Sequence, residues 1–264
     1  MNEISYKPII DDMCWSFSRI KTYDDCGYRW FLKYIKEYQG TEKFFASYGK
    51  FIHKIIEMYY KGELTKEEML IKYLFDFQKE VHGIRPSENI VQGYIERGAN
   101  YFRKFEPFPF DVVDVEKKVE FSIDDIPFVG YIDFLGKDEN DIVIVDNKSK
   151  MLKPRSNRKI ATKNDLELDE MLKQLYIYSV PIYQEYGKYP SKLCFNCFQT
   201  NTLIIEKFDI NSFNLSLSWA KNTIQRIKET EDFSAKQEFF PCKYICDVSD
   251  KCIHNILAIE NRRR

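Results

Sequence analysis

Apolar residues recur at helical spacing over 48–60 and from 65 to about 81, and a third such stretch runs from 88 to 104, ahead of Pro107. Upstream, Ser16 is placed to cap a helix that leads into a second at 28–35. Thr65 with Glu68 three residues later forms a capping box. The period then changes. Positions 112–121 alternate, and 128–135 and 142–148 are apolar, β-prone runs separated by the polar stretch 137–141. Helical spacing returns over 165–186, where Pro181 is expected to kink or break the helix. A further strand pair is predicted at 192–199 and 203–209, and a last amphipathic helix at 211–230. This order predicts an α/β fold: a central mixed β-sheet flanked by helices, with an N-terminal helical region and a Cys-rich C-terminal tail. No repeat, low-complexity tract or linker interrupts it. Residues 1–264 therefore read as a single domain, with a helical insertion at about 58–108, a core at about 109–232 and a tail at 233–264.

Composition sharpens this reading in three ways. With 18 Tyr and 21 Phe against 10 Gly and 9 Pro, the chain has ample material for a core and little scope for long disorder. A formal net charge of −1 means that any polyanion site must come from local clustering. No apolar run reaches membrane-spanning length, and the first residues have no signal-peptide layout. A cytoplasmic location is expected, so the seven Cys are read as thiols or metal ligands. The clearest charge cluster is 148–163, with seven basic residues and no acidic ones. It is either a solvated loop or a phosphate-binding segment using Lys150, Lys153, Arg155, Arg158 and Lys159. Trp30 and Phe31, beside Arg29 and Lys33, could stack bases but fit a core better, and Arg262–Arg264 reads as a frayed tail.

A turn centred on Glu139 and Asn140 would make its flanking runs an antiparallel pair, setting Asp133 opposite Asp146. Strand alternation puts Asp146 and Lys148 on one face and Asn147 on the other. Two acids at the end of apolar strands repel unless a cation or proton sits between them, and carboxylate oxygens suit a divalent metal. Taken alone they are equally turn-flanking acids beside a solvated lysine. His53 and Glu57 stand four apart on one helix, and Gln174 and Tyr178 four apart on another, each pair on one face.

In chain order, Gly49-x-x-x-His53-x-x-x-Glu57, Gly130-x-x-Asp133, Asp146-x-Lys148 and Gln174-x-x-x-Tyr178 resemble the motifs of the PD-(D/E)XK nuclease superfamily. The specific likeness is to its RecB-like exonuclease branch, which includes CRISPR-associated and helicase-linked nucleases, and it runs from Ser16 to Cys252. It implies a restriction-endonuclease-like core in which Asp133, Asp146 and His53 hold Mg²⁺ or Mn²⁺, with a backbone carbonyl near Asn147 completing the shell. Lys148 is implied either to orient or activate water or to neutralise the phosphate, with Gln174 and Tyr178 as an ancillary pair. Glu57 either touches a metal-bound water or balances neighbouring lysines. The implied activity is that of a metal-dependent DNA nuclease, a single-stranded-DNA exonuclease of repair, recombination or CRISPR-type processing. DNA is the implied partner, with helicase, recombination or CRISPR-integration proteins as further associates. Alternatives within the fold are a non-catalytic nucleic-acid-binding scaffold and an endonuclease or RNA-processing enzyme.

Cys242, Cys246 and Cys252 cluster near the C-terminus, and Cys26 lies far ahead of them. One early and three late thiols resemble the RecB-like layout in which four cysteines ligate a four-iron, four-sulfur cluster, tying the tail to Cys26. The usual two-residue gap between the first two late cysteines is three here. That leaves room for Zn²⁺, or for His254 as a replacement ligand. Cys194 and Cys197 fall on opposite faces of a predicted strand and, with Cys14, are read as core residues.

Overall fold

The computed structural model describes residues 5–230 and 232–255, so the extreme N-terminus and Arg262–Arg264 lie outside the described residues. Six helices come first: α1 (Lys7–Asp11), α2 (Phe17–Asp25), α3 (Gly27–Tyr34), α4 (Phe44–Tyr60), α5 (Lys66–Glu80) and α6 (Glu88–Arg103). Three strands follow, β1 (Asp111–Ile123), β2 (Ile126–Asp138) and β3 (Asp141–Lys148), then α7 (Lys163–Tyr186), β4 (Lys192–Cys197), β5 (Thr202–Lys207) and α8 (Ile210–Glu229). A short π-helical turn, Pro241–Ile245, lies in the tail. Ser16 caps α2, and Thr65 with Glu68 closes the expected capping box of α5.

The sheet has the order β1-β2-β3-β4-β5 and is antiparallel except between β3 and β4. That parallel pair needs a crossover, which α7 supplies. β3 is the central strand and is buried on both faces, which is why it reads as an almost unbroken apolar run. Ile142 and Ile144 pack with α7, α8 and the N-terminal helices. Val143 and Val145 pack on the other side with Phe108, Phe134 and Tyr60. Helices α4, α5 and α6 form their own apolar cluster around Tyr48, Ile52, Tyr73 and Phe102. Burying a large ring of this kind contributes roughly 2–3 kcal/mol.

Two expectations are corrected. Pro181 does not break α7, which runs unbroken from Lys163 to Tyr186. The proline is buried between Ile177 and Ile182, so packing on both sides offsets the hydrogen bond it cannot make. Cys14 is exposed instead of lying in the core. Trp15 pairs in extended conformation with Phe128, and alternation turns the preceding side chain outward. Cys194 and Cys197 are buried in clusters on opposite faces of the sheet, as expected. The sequence reading missed α1 and the Pro241–Ile245 turn.

Candidate active site

The β2–β3 hairpin has the expected register, from Asp138↔Asp141 to Phe134↔Val145, with Glu139 in the left-handed region at the turn. Past Val145 the backbone N–H of Asn147 is taken by the Asp133 carboxylate, at 2.7 Å from Oδ2. The same oxygen lies 3.4 Å from Nδ1 of His53 on α4. A third group joins them. The β1–β2 register passes from Val115↔Phe134 to Lys117↔Ile132, and Glu116 sits between with φ of 56°. A non-glycine residue held there costs about 1 kcal/mol or more, a kind of strain that tends to gather at functional sites. Ligand atoms of His53, Glu116 and Asp133 lie within 4.8 Å of one another. They line an open cleft of about 420 Å³ with Phe45, Lys50, Glu57 and Ser149.

Electrostatics at this point are unbalanced. Burial and then the charge of Asp146 raise the Asp133 pKa to about 6, against the pull of His53, the Asn147 N–H and Lys148. Burial, Asp133, Glu57 and Asp146 raise Glu116 to about 7, with Lys61 opposing. Glu57 itself is not short of cations. Burial would raise its pKa, but bonds from Lys61 at 2.6 Å and Lys54 at 3.3 Å outweigh that and hold it low. Of its two expected roles, balancing neighbouring lysines is the one this geometry displays.

Asp146 and Lys148 share a face of β3, and Asp146 Oδ2 lies 2.7 Å from the lysine Nζ. The angle is not that of a hydrogen bond, and this buried oxygen takes none among the described residues. Lys148 Nζ donates instead to Gln174 Oε1 at 2.9 Å, across from β3 to α7. One turn on, Tyr178 packs on β2 where Gly130 leaves it room: a Cβ at Gly130 would come within 2.5 Å of the ring. The Gly-x-x-Asp glycine and the Gln-x-x-x-Tyr tyrosine are thus two halves of one contact. Burial, with Asp146 adding to it, pushes the Tyr178 hydroxyl up to about 12, so it stays neutral.

The family model of the PD-(D/E)XK nuclease superfamily matches residues 14–253. The chain belongs to that superfamily. Among solved structures it is similar to a "Putative exonuclease" from Eubacterium rectale, at 14% identity and a TM-score of 0.51, over 95% of this chain and 91% of that one. At that identity the likeness is one of fold. A second similar crystal structure is SSO0001, at 18% identity and a TM-score of 0.31, over 64% of this chain and 73% of the other. No curated protein matches the chain.

In this PD-(D/E)XK nuclease the sequence-derived residues divide into two groups on either side of β2. His53 and Asp133 converge with Glu116, while Asp146, Lys148, Gln174 and Tyr178 form the adjoining polar wall. Glu116, which the sequence reading did not single out, joins His53 and Asp133, while Asp146 is ion-paired with Lys148. The side chain of Asn147 turns to the opposite face, where its Oδ1 accepts from Asn196 at 2.7 Å. Its contribution on the cleft side is the N–H that bonds to Asp133. Two carboxylates with raised pKa values and a nearby imidazole make a donor set suited to a divalent metal.

That set gives a pH signature. Carboxyl pKa values raised by folding mean that the native state binds more protons than the unfolded chain between about pH 4 and 7, so metal-free protein loses stability as pH rises through that window. A carboxyl moved from 3.8 to about 6 corresponds to roughly 3 kcal/mol, before solvent screening reduces it. The melting temperature in chelator is expected to fall between pH 5 and 8, and Mn²⁺ at pH 8 is expected to restore it. A flat, metal-insensitive profile would count against a cation site.

The basic loop is only partly free. Arg155 pairs with Asp169 at 2.7 Å and Glu206 at 2.9 Å, and Lys150 pairs with Glu167. Lys153, Arg158 and Lys159 are exposed with no ion pair among the described residues. Trp30 is fully buried in the core. The second candidate centre lies elsewhere: Cys26, Cys242, Cys246 and Cys252 all line one cavity of about 310 Å³ between α3 and the tail. Burial lifts the Cys246 thiol to about 11, and Cys252 is raised by burial, by Cys26 and by Cys242. No three of these sulfurs lie within 4.8 Å of one another among the described residues.

Proposed function

We propose that the chain is a divalent-metal-dependent deoxyribonuclease that acts on the ends of unpaired DNA. The observation carrying the metal-dependent hydrolysis is the convergence of His53, Glu116 and Asp133 beside the Lys148–Gln174 pair, in a cleft open to solvent; the preference for DNA and for unpaired ends rests on the resemblance to RecB-like exonucleases. His53, Glu116 and Asp133 would hold Mg²⁺ or Mn²⁺ together with Asp146, whose charge Asp133 feels. Bound there, the metal supplies Lewis acidity, lowering the pKa of its water and offsetting charge on the leaving oxygen. Lys148, steered by Gln174, places its positive charge where the phosphate gains negative charge, or orients the attacking water. Tyr178 keeps Gln174 and β2 in register. Lys153, Arg158 and Lys159 meet phosphates flanking the cut, and the four cysteines hold a four-iron, four-sulfur cluster that staples the tail to α3 within one domain.

The test is incubation with end-labelled single- and double-stranded DNA, linear and circular, in Mn²⁺ and in chelator. Linear single strands are expected to shorten from an end in Mn²⁺ only. Cleavage of circles would make the chain an endonuclease, and a folded protein that cuts nothing would leave the scaffold reading.

A further inference from the structure

The tail presents aromatic rings to solvent in an order that follows the approach to the metal cleft. Phe45, Gly49, His53 and Glu57 are spaced four apart on α4, so they share one face, and all four line the cleft. Phe45 ends that stripe, about 12 Å along the helix from His53. The rings continue from there. The Phe240 centroid is 5.7 Å from Phe45, and Tyr244 lies 5.2 Å from Phe240. Phe239 and Phe240 are 55% and 44% exposed, and with Phe45 and Tyr244 they form one contiguous patch.

Positive charge is interleaved with these rings. Lys243 Nζ lies 5.4 Å from the Phe239 centroid and 5.0 Å from that of Tyr244. Lys50 and Lys54, exposed and ion-paired with Glu42 and Glu57, line the cleft from α4. Lys50 and Ala46 also line a second cleft, of about 950 Å³, whose far side carries Ile245 and Asp247. One surface therefore runs from the metal ligands to the tail.

We infer that Phe240, with Phe239, Tyr244 and Phe45, is a stacking platform for unpaired bases of the strand whose backbone enters the metal cleft. Ring faces alternating with ammonium groups suit a single strand, which offers bare base faces and a charged backbone together; a duplex hides the former. The inference rests on the nuclease reading, and it supplies a physical reason for a preference for unpaired ends.

The test is fluorescence anisotropy of the full chain, in chelator, with labelled unpaired oligonucleotide, its abasic counterpart of equal backbone charge, and blunt duplex. Wild type is expected to bind the base-bearing strand about tenfold or more tightly than the abasic one. Phe239→Ala/Phe240→Ala is expected to erase that difference and leave duplex binding unchanged. Phe240→Leu keeps apolar bulk and is expected to weaken binding, while Phe240→Trp restores it, which separates stacking from misfolding. Equal binding of base-bearing and abasic strands by wild type overturns the platform. So does a variant that binds normally but loses self-association, which would make the patch a protein interface. Wild-type cleavage in Mn²⁺ is measured alongside. A protein that cuts yet ignores bases loses only the platform, whereas one that neither cuts nor binds loses the nuclease reading too.

Discussion

Asp133→Asn is expected to lower Mn²⁺-dependent cleavage by about a thousandfold or more and, in chelator, to make the protein more stable. Both effects come from the same carboxylate. Asparagine keeps the shape and can still accept the Asn147 N–H now bonded to Asp133 Oδ2 at 2.7 Å, so β2 and β3 keep their register. What disappears is one buried negative charge between Asp146 and Glu116, both of which it repels. Relief of that repulsion is worth on the order of 1–3 kcal/mol at pH 8. Lys148→Ala gives the opposite pairing. It too is expected to cut turnover strongly, but it leaves Asp146, only 4% exposed, without its counter-ion. Breaking a buried pair from one side costs about 3–5 kcal/mol. Urea denaturation with end-labelled cleavage assays separates the two. If Asp133→Asn kept full activity, or destabilised the metal-free protein, Asp133 would not be a ligand held at an electrostatic cost.

Much of this site was legible because hairpin geometry is arithmetic. The polar run at 137–141 fixed a turn, the turn fixed the pairing, and alternation put Asp146 with Lys148 and sent Asn147 the other way. The same rule, applied to the turn at Asp124–Asp125, places Glu116 opposite Asp133. That signal was available but silent, since Glu116 sits in a strand dense with charge where no single acid stands out. Spacing also could not tell that Lys148 would engage Asp146 and leave Glu116 beside Asp133, because that choice depends on side-chain rotamers and on Gln174 reaching across from α7. The pairing of Gly130 with Tyr178 was hidden for a different reason: a missing Cβ gains meaning only when the ring that fills its space is known. Pro181 misled because propensity describes an isolated helix, and α7 is held by packing along most of its length.

Cys26→Ser is expected to bleach the anaerobically purified protein and to lower its melting temperature by several degrees. On the cluster proposal Cys26 has two roles, and the substitution removes one. Its sulfur caps α3, accepting the Arg29 N–H at 3.4 Å, and serine is among the better capping residues, so the helix start survives. Only the proposed thiolate ligation is lost. What then holds the tail is the buried Phe233 ring, stacked on Trp30 and Phe31, with polar contacts: Arg29 and Lys33 with Asp247 at 3.0 and 2.7 Å, Lys43 with Ser249 at 3.0 Å, and the Tyr28 N–H with the Ser234 carbonyl at 2.9 Å. The partly exposed Asp247 ion pairs contribute about 0–1 kcal/mol each, less than the proposed four-thiolate staple across more than 200 residues of chain. Phe239 and Phe240 are separated from Cys242 by Pro241 alone, so a loosened tail is also expected to weaken binding of unpaired strands while the cleft on α4 and β2 stays formed. Visible absorbance, iron and zinc analysis, and cleavage rates at low and saturating DNA measure each part. A colourless wild type carrying one zinc would replace the cluster with a single ion, and a Cys26→Ser protein as stable as wild type would leave the four thiols without a structural role.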